Sequence, residues 1–393
     1  MLLKLTALTL ALFKGISANP FDQEWHDWKI KHKAIYGTQT IEAKRYEIFQ
    51  ESREFVKLHN ERFENGAETY KVGLNKFAAM SGEEVAAVYK NRQAGLSEVA
   101  ESLTQSGLDL PGSPNFEYNC PIKFNTNGSE PPTILSYKNG TSCTANNKDA
   151  CTDIPIWTTS VKDQGSCGSC WTFGTAAALE GSLCKQGRFD CTTWSGVSTQ
   201  QFLDCASRTS RSDDIWLFPF DNYGCGGGFQ PNAFRYVTLN GNMVNSWDDY
   251  PYVSGETRRP QKSCNFDQSK AIKNSLIHCG TLQNKGDETE LAQAVNEQGV
   301  LTIGVDASGR GFDLYTEGIY TNNKCGSRDR DLDHAVTLTG YGLYPFGSGN
   351  GKPYWEVKNS WGGDWGMEGY ILFEKDNDNA CGVATDVSWA VGN

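Results

Sequence analysis

The chain has 393 residues, of which 38% are hydrophobic and 21% charged, enough for a sizeable core spread over about two or three domains. That balance excludes a chain disordered throughout. The net charge of -11 speaks against nucleic acid or an anionic membrane as partner, since neither attracts an acidic surface.

At the N-terminus Lys4 precedes an apolar run over 5–13, and Ile16-Ser17-Ala18 has the small residues of a cleavage site. Residues 1–18 read as a signal peptide, with Lys14 interrupting the pattern. The run is too short to span a bilayer, and no later stretch is apolar for long enough, so no membrane span is expected. The expected location is the secretory pathway, ending in a lysosome-like compartment or outside the cell. Thirteen cysteines against five histidines suit such an oxidising compartment, and the odd count leaves at least one thiol outside intramolecular disulfides.

Residues 21–89 are rich in charge, and Trp25, Trp28, Arg45, Phe49, Val56 and Asn60 recur at three- and four-residue steps. This spacing predicts an amphipathic helical hairpin packed on something else. Around Gly73-Leu74-Asn75-Lys76-Phe77 the pattern changes to the alternation of a short strand. From 91 to 132 Ser, Gly, Pro, Asn and Glu dominate, the composition of a linker that a protease can reach. Every cysteine lies at or after Cys120, so the helical segment and the cystine-rich part read as separate units. The expected boundaries are a prosegment and linker over 19–130 and a catalytic domain over 131–393. Two sequons, at Asn127 and Asn139, stand in loop-like surroundings as candidate glycosylation sites.

Cys167 and Cys170 form a CxxC in the run from Gln164 to Phe173, and a helix-compatible stretch over 174–183 follows. A thiol at a helix N-terminus is favoured as the thiolate by the aligned peptide dipoles, which makes Cys170 a candidate nucleophile. Taken alone, the run also fits a thioredoxin-like redox pair, half of a zinc site, or structural cysteine. Further on, 300–305, 335–341, 354–358 and 370–375 alternate or run apolar like strands, with Gly and Pro between them. A helical half followed by a β half suggests two lobes with a cleft between them. Cysteine chemistry needs an imidazole to pair with the thiolate and a third group to orient the ring. His334 opens one of these strands and Asn359 closes another.

With Cys-Gly-Ser-Cys-Trp from Cys167, Leu-Asp-His-Ala-Val from Leu332 and Lys-Asn-Ser-Trp-Gly-Gly-Asp-Trp-Gly from Lys358, the chain resembles the papain-like cysteine proteases of the cathepsin L type. The resemblance covers nearly everything after the leader. It implies an α+β, papain-like two-lobe fold, one lobe helical and one resembling a β-barrel, preceded by a helical inhibitory propeptide over about 25–85. It further implies a cysteine endopeptidase made as a zymogen. Cys170 would attack the scissile carbonyl, His334 would act as general base and acid, and Asn359 would orient the imidazole under the shield of Trp361. Gln164 would donate to the developing oxyanion together with the Cys170 amide. Implied disulfides are Cys167 with Cys225, Cys205 with Cys264, and Cys325 with Cys381, which spends Cys167 and removes the redox reading. Of the six other cysteines, nearness in sequence singles out Cys184 with Cys191 and Cys143 with Cys151.

On the same basis Phe229, Gly304, Leu332 and Ala335 match the lining of the pocket for the second residue before the scissile bond, and Asp386 matches its floor. A carboxylate there is expected to admit basic as well as hydrophobic side chains, the basic preference fading in acid. Gly227 and Gly228 would hydrogen-bond extended substrate, and Trp365 would line the leaving-group side. Expected partners are protein or peptide substrates, the chain's own propeptide, and inhibitors of the cystatin type; no cofactor or metal is implied. The chain departs from the family pattern at Ser52, where Asn is usual, at Ala79, where Asp is usual, and in insertions near 141–155 and 206–224. The second insertion is either surface decoration or a lid or partner site, since apolar residues clustered in a loop need cover. Two other functions stay open at this point: an exopeptidase whose cleft is blocked by a loop, and a non-catalytic binding protein on the same fold.

Overall fold

Thr38 takes the backbone hydrogen of Ile41 on its side chain and so starts the longest helix of the N-terminal segment. The structure is a computed structural model that describes residues 20–90, 120–128, 130–207, 222–347 and 351–392. The expected signal peptide, most of the linker and the apolar part of the second insertion lie outside the described residues. Helices α1 (Pro20–Lys31) and α2 (Gln39–Glu64) form the expected hairpin. Trp25 and Trp28 stack at 5.3 Å, and both tilt onto Phe49 of α2 at 5.1 and 5.4 Å. Asn60 then holds the short strand β1 (Tyr70–Val72) through both its amide groups, at 2.9 and 3.0 Å from Val72. Ser81 and Glu84 make a reciprocal capping box that opens α3 (Gly82–Tyr89).

Beyond the linker, β2 (Ile122–Lys123), β3 (Ile134–Ser136), β4 (Thr141–Cys143) and β5 (Cys151–Asp153) precede the first long helix of the second unit, α4 (Cys170–Lys185). The helix begins earlier than its apolar periodicity implies, with Cys170 itself in the first turn. Helices α5 (Thr199–Cys205) and α6 (Gln230–Leu239) pack on α4 around Trp171, Leu179, Phe202 and Phe234, giving one hydrophobic core. The other core lies under a mixed sheet with strands β6 (His278–Thr281), β7 (Leu301–Val305), β8 (Tyr315–Tyr320), β9 (His334–Tyr344), β10 (Lys352–Lys358), β11 (Tyr370–Glu374) and β12 (Asp386–Val391). Strands run in the order β1-β8-β11-β10-β9-β7-β12-β6-β2, with β3 to β5 branching off β9. The architecture is therefore α+β with a helical lobe and a sheet lobe.

Two features place the lobes and the prosegment. Gly174 and Gly181, on one face of α4, cost the helix about 1 kcal/mol each relative to Ala. A Cβ at either would run into Thr302 or Val300, so these glycines let α4 lie directly against β7. The prosegment, in turn, adds β1 antiparallel to β8, Tyr70 opposite Gly318, and shares the core of the sheet lobe through Trp28, Phe77, Val85 and Tyr89. The insertion over 141–155 is a hairpin of β4 and β5 closed by Cys143–Cys151. The other disulfides are Cys167–Cys225, Cys184–Cys191, Cys205–Cys264, Cys325–Cys381 and Cys120–Cys279.

Candidate active site

Cys170, the cysteine in none of these disulfides, is fully buried at the start of α4, where the helix dipole favours a negative sulfur. The turn before it is braced from both sides. Tyr252 donates its hydroxyl hydrogen to the Gln164 carbonyl at 2.7 Å and lies 2.8 Å from the Ser169 hydroxyl. Ser360 donates to Gln164 Oε1 at 2.6 Å, which fixes the amide so that Nε2 points its hydrogens to the Cys167 carbonyl at 2.8 Å and the Tyr89 carbonyl at 3.0 Å. Tyr89 belongs to the prosegment, so a prosegment carbonyl occupies the donor that the sequence assigns to an oxyanion.

His334 opens β9, the strand that packs on α4 and lies beside β7. Its Nε2 is 2.8 Å from Asn359 Oδ1, and the Ser360 backbone N–H donates to the same oxygen at 2.8 Å. That second bond identifies Oδ1 as an acceptor, so the imidazole carries its proton on Nε2 and keeps a lone pair on Nδ1. Nδ1 makes no hydrogen bond among the described residues. The Trp361 ring lies 5.0 Å from the imidazole and is itself covered by Phe77 and Tyr89 of the prosegment. Burial pushes the His334 pKa down to about 3, the Asn359 bond opposing and the Lys90 cation adding to the fall. Burial therefore disfavours the charged ring in this closed form.

Lys90, the residue after Tyr89, is buried against the sheet lobe. Its ammonium pairs with Asp313 Oδ1 at 2.6 Å and donates to the Ala307 carbonyl at 2.7 Å. Asp313 ends a single helical turn, Arg310–Asp313, and Trp365 Nε1 donates to its carbonyl at 3.0 Å. Next to His334, Asp333 takes the Ala307 N–H at 2.7 Å, and burial raises its pKa to about 6.

Three of the residues expected to form the specificity pocket come from adjacent strands, while Leu332 precedes β9 and Phe229 caps the start of α6. Gly304 on β7 is paired with Asp386 on β12 and with Ala335 on β9, so these three form one row across the sheet. Leu332 is buried just before β9, while Asp386 and Phe229 are half-buried. Gly227 and Gly228 lie before α6; a Cβ on Gly228 would meet Asn222 at 2.6 Å and the Trp171 ring at 2.7 Å, so no larger residue fits. Trp365 packs edge-on to Trp361 at 5.2 Å. The sequon residues Asn127 and Asn139 are both exposed.

Sequence reasoning missed Tyr89, Lys90, Arg310 and Asp313. A signal was present for Asp313, a lone charge between Phe312 and Leu314 in an apolar stretch. Lys90 follows a helix and looks like an ordinary solvated end.

Residues 144–391 match the model of the papain family cysteine proteases, and residues 25–85 match the cathepsin propeptide inhibitor domain (I29). Cathepsin L of Sarcophaga peregrina is 32% identical over 393 residues, an alignment that spans 99% of this chain and 97% of the relative. Procathepsin L of Mus musculus is 31% identical over 400 residues, spanning 100% of this chain and 99% of the relative. Among solved structures, digestive procathepsin L 3 of the Tenebrio molitor larval midgut superposes with a TM-score of 0.73 at 28% identity, covering 95% of this chain and 99% of that one. The chain belongs to the papain family of cysteine proteases and carries its own inhibitory propeptide, which makes it a zymogen.

Proposed function

We propose that the processed chain is an endopeptidase working through Cys170, His334 and Asn359, with Gln164 in the oxyanion hole. The Cys170 thiolate adds to the scissile carbonyl, and the imidazolium of His334 then gives its proton to the leaving amine. Water, deprotonated by the same ring, releases the acyl group. Asn359 holds Nε2, leaving Nδ1 as the atom that exchanges the proton with sulfur. The observation that carries this reading is the Gln164 Nε2 hydrogen bond to the Tyr89 carbonyl: a peptide oxygen already uses the donor that would stabilise the oxyanion. Asp386, in a row with Gly304 and Ala335, would form the acidic floor of the pocket for the second residue before the scissile bond. The enzyme would travel the secretory pathway, with Asn127 and Asn139 as glycan acceptors.

The boundary between prosegment and enzyme is proposed to fall before Cys120 rather than near 130. Cys120 is bonded to Cys279, and β2 pairs with β6, so residues 120–123 are built into the catalytic unit.

The test is to process the zymogen in acid and treat it with a peptidyl vinyl sulfone. Labelling of one cysteine, lost in Cys170→Ala, is expected, and Gln164→Ala is expected to lower kcat by about a hundredfold. Labelling that persists in Cys170→Ala would refute the assignment.

A further inference from the structure

Beside Asn359, between α4 and α5 of the helical lobe and β9 and β10 of the sheet lobe, lies a cavity of about 20 Å³, room for one water-sized particle. Its polar wall includes Lys162, Glu180, Thr199, Lys358 and Ser360. Lys358, the last residue of β10, is buried, Glu180 on α4 is 2% exposed, and Thr199, the first residue of α5, is 1% exposed.

The charges in this wall do not balance. The Thr159 hydroxyl accepts from the Lys162 ammonium at 3.0 Å and from the Lys358 ammonium at 3.3 Å, and it donates to Glu180 Oε2 at 2.6 Å. Both lone pairs and the one hydrogen of that hydroxyl are then spent. Glu180 Oε1 takes the Val197 N–H at 2.8 Å and lies 3.7 Å from Lys162. Lys358 donates to the Thr159 carbonyl at 2.8 Å and pairs with no carboxylate among the described residues. One carboxylate thus serves two ammoniums gathered on a single hydroxyl, and one positive charge is left over. Burial pushes the Lys358 pKa down to about 7, the Lys162 charge adding to the fall and the Glu180 charge opposing it, so a negative charge nearby would hold the ammonium protonated. The wall also carries an unused donor, since Thr199 Oγ1 makes no hydrogen bond among the described residues.

A water in the cavity would complete the Thr199 hydroxyl and leave the surplus charge as it stands, whereas a carboxylate or sulfate is too large for one water's space. A monatomic anion answers both needs. We propose that this cavity binds one chloride ion, held between Lys162 and Lys358 with the Thr199 hydroxyl as a further donor. Thr199 belongs to the helical lobe and Lys358 to the sheet lobe, so the anion ties the two together. No prosegment residue lines the cavity, and the site is therefore present before and after processing.

The test uses the full-length zymogen in the Cys170→Ala background, which prevents self-cleavage. Urea unfolding is followed at about pH 5.5, where Lys358 is charged, as sodium chloride replaces sodium gluconate at constant ionic strength. Between none and about 0.3 M chloride the folding equilibrium constant is expected to rise about fivefold, as a site half-filled near about 0.08 M gives. Thr199→Glu, which supplies a carboxylate within the chain, and Lys358→Met, which removes the surplus charge, are each expected to abolish the rise. Zymogen crystals grown in sodium bromide are expected to show an anomalous peak in the cavity. A rise below about twofold in the parent, or a full rise in either folded variant, overturns the proposal. So does a cavity without bromide, and a bromide peak with no rise in solution is binding at crystal concentration only and overturns it as well. Should neither variant fold, the parent's rise and the bromide peak decide together. None of these results touches the assignment of Cys170, His334 and Asn359, which the vinyl sulfone experiment tests separately.

Discussion

At the scale of single residues, the site depends on which polar atoms are tied down. Gln164, Asn359 and Ser360 form one buried chain of hydrogen bonds, so each amide has a single sensible orientation, and the imidazole is left one basic nitrogen. Asp386 differs, being half-buried at the start of a strand with a glycine beside it. A basic substrate side chain entering over Gly304 would find a carboxylate and room for its length. Fluorogenic peptides with Arg, Phe or Leu as the second residue before the bond test this. Asp386→Ala is expected to lower kcat/KM for Arg by about tenfold and leave Phe within about threefold. An unaltered Arg-to-Phe ratio in Asp386→Ala would take the acidic floor out of the pocket.

At the scale of elements, long periodic segments were legible and short pairings were not. Trp25, Trp28 and Phe49 at helical spacing marked α1 and α2, where one face is buried, and the runs over 335–341 and 354–358 marked β9 and β10, whose inner residues are buried on both faces. The motif residues Cys170, His334 and Asn359 were equally plain. In contrast, β2 is a two-residue strand pairing with a partner far along the chain, and the Cys120–Cys279 bond spans 159 residues. Nothing local marks such a contact. It carries a consequence for maturation, since a cut near 130 would leave residues from Cys120 onward attached by the disulfide. Edman sequencing and intact mass of the activated enzyme, run before and after reduction, are expected to place the new N-terminus between 91 and 119. An activated enzyme that shows an N-terminus near 130 and loses a Cys120-containing peptide only on reduction would return the boundary to 130.

At the scale of the whole molecule, the prosegment closes the enzyme by inserting into it, and the departures at Ser52 and Ala79 show their meaning only there. Ala79 has no carboxylate, and Arg45 is instead held by Glu84 at 2.5 Å and by the Ala79 carbonyl at 3.0 Å. Ser52 takes a hydrogen of Arg310 from the catalytic unit, a contact between distant segments that no spacing in the sequence announces. Acid can then act on the Glu84 carboxylate, which Arg45 holds below its ordinary pKa, and His334 and Asp333 add contributions of opposite sign. His334 is held at about 3 against an ordinary 6.5, first by burial. The unfolded chain therefore binds a proton that the folded zymogen refuses, and stability falls as pH drops from about 6.5 toward 3. Asp333 is raised by burial from 3.8 to about 6. Between these values the folded chain holds a proton that the unfolded chain lacks, so stability rises as pH drops, offsetting the histidine over most of that range. In a Cys170→Ala background, which prevents self-cleavage, Asp333→Asn removes this counterweight while keeping an acceptor for the Ala307 N–H. The loss of stability between about pH 6 and pH 4 is then expected to deepen by about 2 kcal/mol relative to the parent, read from urea midpoints. Because all other titrating groups are common to the two chains, parallel pH profiles would mean that Asp333 takes no part in balancing the acid response.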